Sequence, residues 1–333
     1  MTPRSCPACE GVRDLALVEQ WRDPFGGIFY RMHRCGTCGL VFSDPREAVG
    51  SDWYEKSAPL RALEERPFAA GDWRFLRFLD AGLREGRVLD VGCGDGGFLS
   101  LAATRGWHSV GVDYDGRVIA LAQAKGLDAH AGDYAAFLKS RSAKEFDAVT
   151  LFDVLEHSPE PRALIELIKP VLKRGGHLAI TFPNDSRPIL FRREDYDYPP
   201  HHFTRWNVRS LRAFLEGQGF AIETLETVGP SVRWFSEILF DGLIAPHALA
   251  WARGVLFGRD AKGAISVLYK DRPETARGAK GFFVQKSRRQ ALVDIFKSAC
   301  RIVTYPLGAV LALVYRVKRN SGEYLYCLAR YEG

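Results

Sequence analysis

The sequence has no run of the roughly 18 to 20 uncharged apolar residues that a membrane-spanning helix needs. Its first residues, MTPRSCPACEG, carry no apolar signal core, so a cytoplasmic protein is expected. Cysteine is scarce, 7 in 333 residues, and too clustered for the disulfide framework of a small secreted domain. Internal repeats and long low-complexity tracts are missing, which argues against solenoids and disordered chains. What remains is an ordinary globular composition, 47% hydrophobic, 26% charged and 12% aromatic, with room for one large domain or two smaller ones. The net charge of +6 is uneven: residues 231–320 hold 16 Lys+Arg against 6 Asp+Glu, and the rest of the chain is slightly acidic. Only that segment calls for an anionic partner.

Five zones follow from the pattern along the chain. Residues 1–48 carry four of the cysteines, and residues 49–84 read as a helical bridge containing Trp53, Tyr54, Trp73, Phe75 and Phe78. Over residues 85–230 short apolar runs (RVLDVG, SVGVDYD, FDAVTLFD, HLAITFPN) alternate with helical patterns, the βαβ signature of a mostly parallel α/β sheet. Residues 231–320 break that alternation with long apolar and basic stretches and are expected to be a helical insertion. Residues 321–333, GEYLYCLARYE and its neighbours, read as a last strand returning to the sheet.

Cys6-Pro-Ala-Cys9 and Cys35-Gly-Thr-Cys38 are two Cys-x-x-Cys pairs separated by 25 residues. Four thiolates suit tetrahedral Zn²⁺, and the two-residue spacing lets each pair grip one metal from a tight turn whose amides hydrogen-bond the sulfurs. A redox Cys-x-x-Cys is usually single and follows a strand of a thioredoxin-like unit, which is absent here. A structural zinc, with no position open for chemistry, is therefore expected. Cys93, Cys300 and Cys327 are read as small buried apolar residues.

Between Arg87 and Phe98 the chain reads RVLDVGCGDGGF, a strand, a glycine turn and a helix start. Gly92, Gly94 and Gly97 satisfy the dinucleotide spacing G-x-G-x-x-G, and Asp113 at the end of the next strand matches the ribose-binding acid of an NAD site. Charge argues otherwise. Asp90 precedes the first glycine and Asp95 lies inside the turn, where a pyrophosphate needs amides and positive potential. A cationic ligand such as S-adenosylmethionine fits better. Asp113 would hold its ribose hydroxyls, Asp133 and Tyr134 would face adenine, and Asp153 would sit beneath the methionine part. All lie at strand ends on the side where open α/β sheets bind ligands.

These motifs resemble the class I S-adenosylmethionine-dependent methyltransferases, in particular the branch with DVGCGxG (Asp90 to Gly96), GVD (Gly111 to Asp113), GD (Gly132 and Asp133) and DVLEHxxxP, matched from Asp153. The resemblance covers roughly residues 75–230. It implies a Rossmann-like seven-stranded sheet, with the C-terminal strand supplying the seventh position antiparallel to FAIETLETVG. It also implies a cofactor site that includes Gly92, Cys93, Gly94 and Tyr114. The zinc knuckles joined to this domain look like those of bacterial sugar and glycan-pathway methyltransferases. That resemblance implies a small-molecule, sugar or lipid-linked glycan acceptor, most readily methylated on oxygen.

An alcohol acceptor needs its proton removed, so a base is expected near the fifth strand. The segment DYPPHHFTRWN places His201 and His202 just before a helix capped by Asn207. It is similar to the EHLYYFS segment of zinc-knuckle sugar C-methyltransferases, which puts their basic histidine on His202, although proline stands here where tyrosine is usual. His157, in LEHSP, is the second catalytic candidate, and Tyr54 is a candidate lid residue. An RNA methyltransferase is the alternative function and NAD-dependent oxidoreduction a more distant one. Nucleic acid is disfavoured because residues 1–48 hold 6 basic and 6 acidic residues. The apolar run Ile302 to Tyr315, 14 residues with Pro306 inside and Lys and Arg at both flanks, is expected to lie on an anionic membrane surface, to form a homodimer interface or to pack on the core.

Overall fold

A computed structural model describes residues 5–12, 14–47, 71–187, 193, 197–229, 232–239, 304–314 and 322–333. Most of the bridge, with Tyr54, and most of residues 231–320, with Cys300, lie outside them. Two compact units are distinguished: Met1–Gly229 with Asn320–Gly333, and Pro230–Arg319.

In the larger unit the chain runs β1 (Leu15–Arg22), β2 (Phe29–Cys35), β3 (Val41–Asp44), α1 (Trp73–Leu79), β4 (Arg87–Val91), α2 (Gly97–Thr104) and β5 (His108–Asp113). It continues through α3 (Gly116–Ala124), β6 (Ala129–Ala131), α4 (Tyr134–Ser140), β7 (Phe146–Phe152), a 3₁₀ turn at Leu155–His157 and α5 (Pro161–Ile168). Last come β8 (Leu172–Pro183), β9 (Thr204–Arg205), α6 (Val208–Gly217), β10 (Phe220–Val228) and β11 (Tyr324–Tyr331).

Seven strands form one sheet in the order β10-β11-β8-β7-β4-β5-β6. The five from β8 to β6 are parallel, while β11 inserts antiparallel between β8 and β10. This is the Rossmann-like methyltransferase sheet, and the C-terminal strand occupies it as expected. The parallel strands are apolar on both faces because helices cover both. Their period of two sorts the side chains. Leu89, Val149, Leu151, Ile180 and Phe182 point into one core with Leu164, Ile165 and Phe214, whereas Val88, Ala148 and Ala179 point into the other with Phe75, Phe98 and Ile119. Each buried Val, Leu, Ile or Phe side chain contributes roughly 1.5 to 3 kcal/mol, and together they hold the strand ends in fixed register.

The cysteine-bearing segment forms a second, four-stranded sheet in the order β1-β2-β3-β9. Its last strand comes from the middle of the chain: Val41 and Phe42 pair with Arg205 and Thr204. Cys6, Cys35, Cys38, Leu40 and Phe42 share a core with Leu89 and Phe214.

In the smaller unit, α7 (Val232–Leu239) meets α8 (304–314) through small residues. The Thr304 hydroxyl donates to the Ser236 carbonyl at 3.0 Å and accepts from the Ser236 hydroxyl at 2.7 Å. A Cβ on Gly308 would come within 2.9 Å of the Val232 carbonyl. The other face of α8 exposes Leu307, Val310, Leu313 and Val314. No helix among the described residues is long and apolar enough to cross a membrane.

Candidate active site

The glycine turn between β4 and α2 depends on backbone freedom that only glycine has. Gly92, Gly94 and Gly96 all adopt positive φ, and a Cβ on Gly92 would stand 2.6 Å from Val154 Cγ2. Gly111 on β5 serves the same end from below, since a Cβ there would meet Cys93 Sγ at 2.5 Å. The amides of Gly92 and Cys93 donate to the Val112 carbonyl at 2.8 and 3.2 Å, which lays the turn over β5.

Three of the four predicted acids gather at adjacent strand ends around this turn. Asp113 closes β5; its Oδ2 accepts the Gly94 amide and its Oδ1 the Asp115 amide, each at 2.9 Å. Burial pushes its carboxyl above the usual range despite those amides. Asp90 is buried on β4 and accepts the Thr150 hydroxyl at 2.6 Å. Burial, reinforced by the nearby Asp113 charge, pushes its carboxyl up to about 7. Asp153 follows β7 with φ of 56°, an uncommon conformation for a non-glycine residue. Its Oδ1 accepts the Thr181 hydroxyl at 3.0 Å, and its Oδ2 pairs with Arg74 of α1.

Arg74 was not among the residues expected from sequence. Its Nε and Nη2 also bind the two oxygens of Asp72, the N-cap of α1, at 2.9 and 2.6 Å. The local Asp-x-Arg pattern was legible; its reach to Asp153, 79 residues away, was not.

The other predicted cofactor residues are placed differently. Asp133 caps α4 through the Ala135 amide at 2.9 Å with its carboxylate exposed. Tyr134 is half-buried and hydrogen-bonds Ser158. Cys93 is buried, which raises its thiol pKa. Tyr114 is 79% exposed.

Beyond the end of β7, His157 meets His201 and His202. The three ring centroids lie 4.6 to 4.8 Å apart. His202 is buried, its Nδ1 is 3.8 Å from Asp197 Oδ1, and Asp197 is held by Arg187. Burial, with the neighbouring histidines and arginines, keeps the His202 pKa well below the ordinary imidazole value.

The cysteine knuckle holds this histidine segment in place. Immediately after His202, Phe203 donates to the Glu156 carbonyl and accepts from the Ser43 amide, both at 2.9 Å. Asn207 then donates to the Gly39 carbonyl at 3.1 Å and Arg209 to the Thr37 carbonyl at 2.6 Å, both beside the second cysteine pair. Asn207 also caps α6 in a reciprocal box with Ser210.

The four knuckle sulfurs lie within 4.8 Å of one another. Cys6–Cys38 and Cys9–Cys35 are each separated by 3.6 Å. A disulfide requires about 2.05 Å, whereas Zn–S bonds of about 2.3 Å set tetrahedral edges of roughly 3.7 Å. Amides of Ala8 and Cys9 point at the Cys6 sulfur, as a metal-binding knuckle requires.

Residues 63–225 match the family described as methyltransferase domain. The sheet order above is the Rossmann-like fold of class I methyltransferases, and these residues are similar to that domain in sequence. Among curated proteins, the ubiquinone biosynthesis O-methyltransferase of Pseudomonas aeruginosa strain UCBPP-PA14 is 33% identical over 152 residues, covering 44% of this chain and 64% of that one. The protein of the same name from Hahella chejuensis is 34% identical over 154 residues, covering 44% and 62%. The chain thus spans less than two thirds of the length of these relatives. Among solved structures, phosphoethanolamine N-methyltransferase 2 of Haemonchus contortus superposes with a TM-score of 0.50 at 19% identity, covering 84% of this chain and 57% of that one. That likeness concerns the fold.

Proposed function

We propose that the protein transfers the methyl group of S-adenosylmethionine to a hydroxyl oxygen of a small molecule, sugar or lipid-linked glycan. The observation that carries this reading is the arc of Asp113, Asp90 and Asp153 at the ends of β5, β4 and β7, around a turn whose backbone lies close to the strand ends. Three carboxylates against one paired arginine favour a cation over a pyrophosphate. The amides leave lone pairs on both Asp113 oxygens, which suits two vicinal ribose hydroxyls. Asp90 and Asp153 would hold the ammonium end, and Asp133 and Tyr134 would border the adenine. When bound, the cofactor supplies an electrophilic methyl on a sulfonium.

The chain's own residues then act on the acceptor. His202 is held neutral by burial, so it is in the form that accepts a proton, and Asp197 stands close enough to compensate the resulting imidazolium. His157, in the turn Leu155–His157 just after β7, is assigned to the same acceptor side. The name O-methyltransferase carried by the relatives supports oxygen as the acceptor atom. The four cysteines are assigned a structural Zn²⁺, which they fit in number, spacing and donor type.

Mass spectrometry of reactions with S-adenosylmethionine and panels of phenols, free sugars and lipid-linked sugars tests this reading. A methylated acceptor and S-adenosylhomocysteine in equal amounts are expected. Methylation only of amines would move the acceptor atom from oxygen to nitrogen.

Residues 231–320 are further proposed to touch an anionic membrane surface, on the strength of the exposed apolar face of α8 and the basic residues flanking it in sequence. Sedimentation with anionic vesicles at low salt, lost at high salt, is the expected behaviour. Concentration-dependent dimerisation without vesicle binding would assign that face to a second copy instead.

A further inference from the structure

An arginine cluster stands beside the histidine segment and takes no part in the proposed cofactor site. Asp185, buried just after β8, is shared by three guanidinium groups. Arg193 Nη2 donates to it at 2.8 Å and Arg34 Nη2 at 3.3 Å, while Arg205 Nε stands 3.5 Å off. The second carboxylate is Glu19 of β1, which accepts Arg205 Nη1 at 3.1 Å and lies 3.9 Å from Arg193 Nε. Three positive charges thus meet two negative ones among the described residues. Hydrogen bonds are short as well: Arg193 Nη1 and Arg205 Nε are buried and make none among the described residues. Burial, followed by the charge of Arg205, lowers the Arg193 pKa. Charged donors held out of water without enough acceptors are costly, and an incoming anion is what would satisfy them.

The cluster flanks the residues assigned to the acceptor. Arg205 lies three residues beyond His202, and its guanidinium carbon is 5.6 Å from the centre of the Tyr198 ring. The Tyr198 carbonyl in turn accepts the amides of His201 and His202, each at 3.1 Å, and the Asp185 amide donates to the Trp206 carbonyl at 2.7 Å. We propose that Arg193 and Arg205, with Arg34 at the rim, bind a phosphoryl group of the acceptor, so that the substrate is a phosphorylated or diphosphate-linked sugar rather than a neutral one. Guanidinium groups match phosphoryl oxygens in geometry and stay charged at every working pH. A phosphoryl group offers enough oxygens to take one donor from each of three arginines, which a carboxylate does not. Arg34 and Glu19 are partly exposed and mark the entrance. Glu19 is the group that the anion displaces, because it already occupies Arg205 from the solvent side. The inference rests on the methyl-transfer reading for the role of the ligand as acceptor, and it narrows the acceptor class.

Inorganic pyrophosphate is the probe, titrated calorimetrically into the full-length protein at fixed ionic strength, with acetate as the carboxylate control. The wild type is expected to bind pyrophosphate and to bind acetate far more weakly. Arg193→Gln should weaken pyrophosphate about 10- to 100-fold through loss of a charge-assisted partner. Glu19→Gln should strengthen it by up to about fivefold, since a competing, partly exposed carboxylate is neutralised. Circular dichroism checks that both variants are folded. No pyrophosphate binding in the wild type, or unchanged affinity in folded Arg193→Gln, overturns the proposal and leaves the arginines as an ion network joining β1 and β2 to the histidine segment. Acetate binding as tightly as pyrophosphate overturns it in favour of a carboxylate ligand. S-adenosylmethionine titrated into the same samples should bind equally in all three proteins. Its failure to bind would count against the methyltransferase reading, whereas the pyrophosphate result needs no methyl transfer, so the two failures are distinguishable.

Discussion

Asp90 carries a conflict between folding and binding. Its folded carboxyl is pushed from 3.8 up to about 7, mainly by burial. Between those values the native state holds more protons than the unfolded chain, so the group's contribution to stability falls as pH rises from about 4 to about 7. Three pH units correspond to about 4 kcal/mol as an upper figure. Urea melts of the cofactor-free protein are therefore expected to show Asp90→Asn more stable than wild type at pH 8, with the difference vanishing near pH 4. Affinity for a cationic cofactor should run the other way, rising in the wild type as Asp90 ionises and flat in the variant. His202 is expected to matter for turnover alone. Stopped assays of His202→Ala should give rates about 10² to 10⁴-fold lower with cofactor affinity unchanged, and a normal rate would remove the histidine from the chemistry.

At the level of elements, the four-stranded sheet explains why a cysteine knuckle accompanies this domain. Strand β9 is only Thr204–Arg205, yet it ties the His201–His202 segment to β3, and Gly39 and Thr37 receive Asn207 and Arg209. Elemental analysis is expected to find one knuckle-bound zinc per chain. Cys38→Ser should lower thermal stability and reduce turnover by roughly tenfold or more through the displaced histidines, while cofactor binding at β4 and β5 stays near normal. Equal loss of cofactor affinity would mean the knuckle supports the whole domain instead. These elements were unevenly legible. The parallel strands announced themselves as apolar runs between helical patterns, and the return of GEYLYCLARYE to the sheet followed from its strand-like composition and from the resemblance, which calls for one more strand. Strand β9 was invisible because two residues carry no periodicity. Arg74 was likewise hidden, because its partner Asp153 is adjacent only once α1 has packed beside the strand ends. The acids were readable individually from their motifs. That Asp133 caps α4 and Tyr114 faces solvent emerged only from the backbone geometry around them.

Over the whole molecule, two interrupted stretches of chain build the larger unit, and the smaller unit is spliced between the last two strands of its sheet. Such a splice leaves the strand order intact because β10 and β11 are antiparallel neighbours, and their hydrogen bonds do not depend on the length of the connection between them. The sheet, the glycine turn and the carboxylate arc thus form the proposed cofactor site, and its assignment stands or falls on binding. Isothermal titration calorimetry of S-adenosylmethionine into the full-length protein, wild type and Asp113→Asn, tests it most directly. The account predicts one site per chain in the wild type, weakened by about 1 to 3 kcal/mol in the variant as a charge-assisted hydrogen-bonding partner is lost. Absence of binding heat across several temperatures, or wild-type affinity in Asp113→Asn, would contradict it.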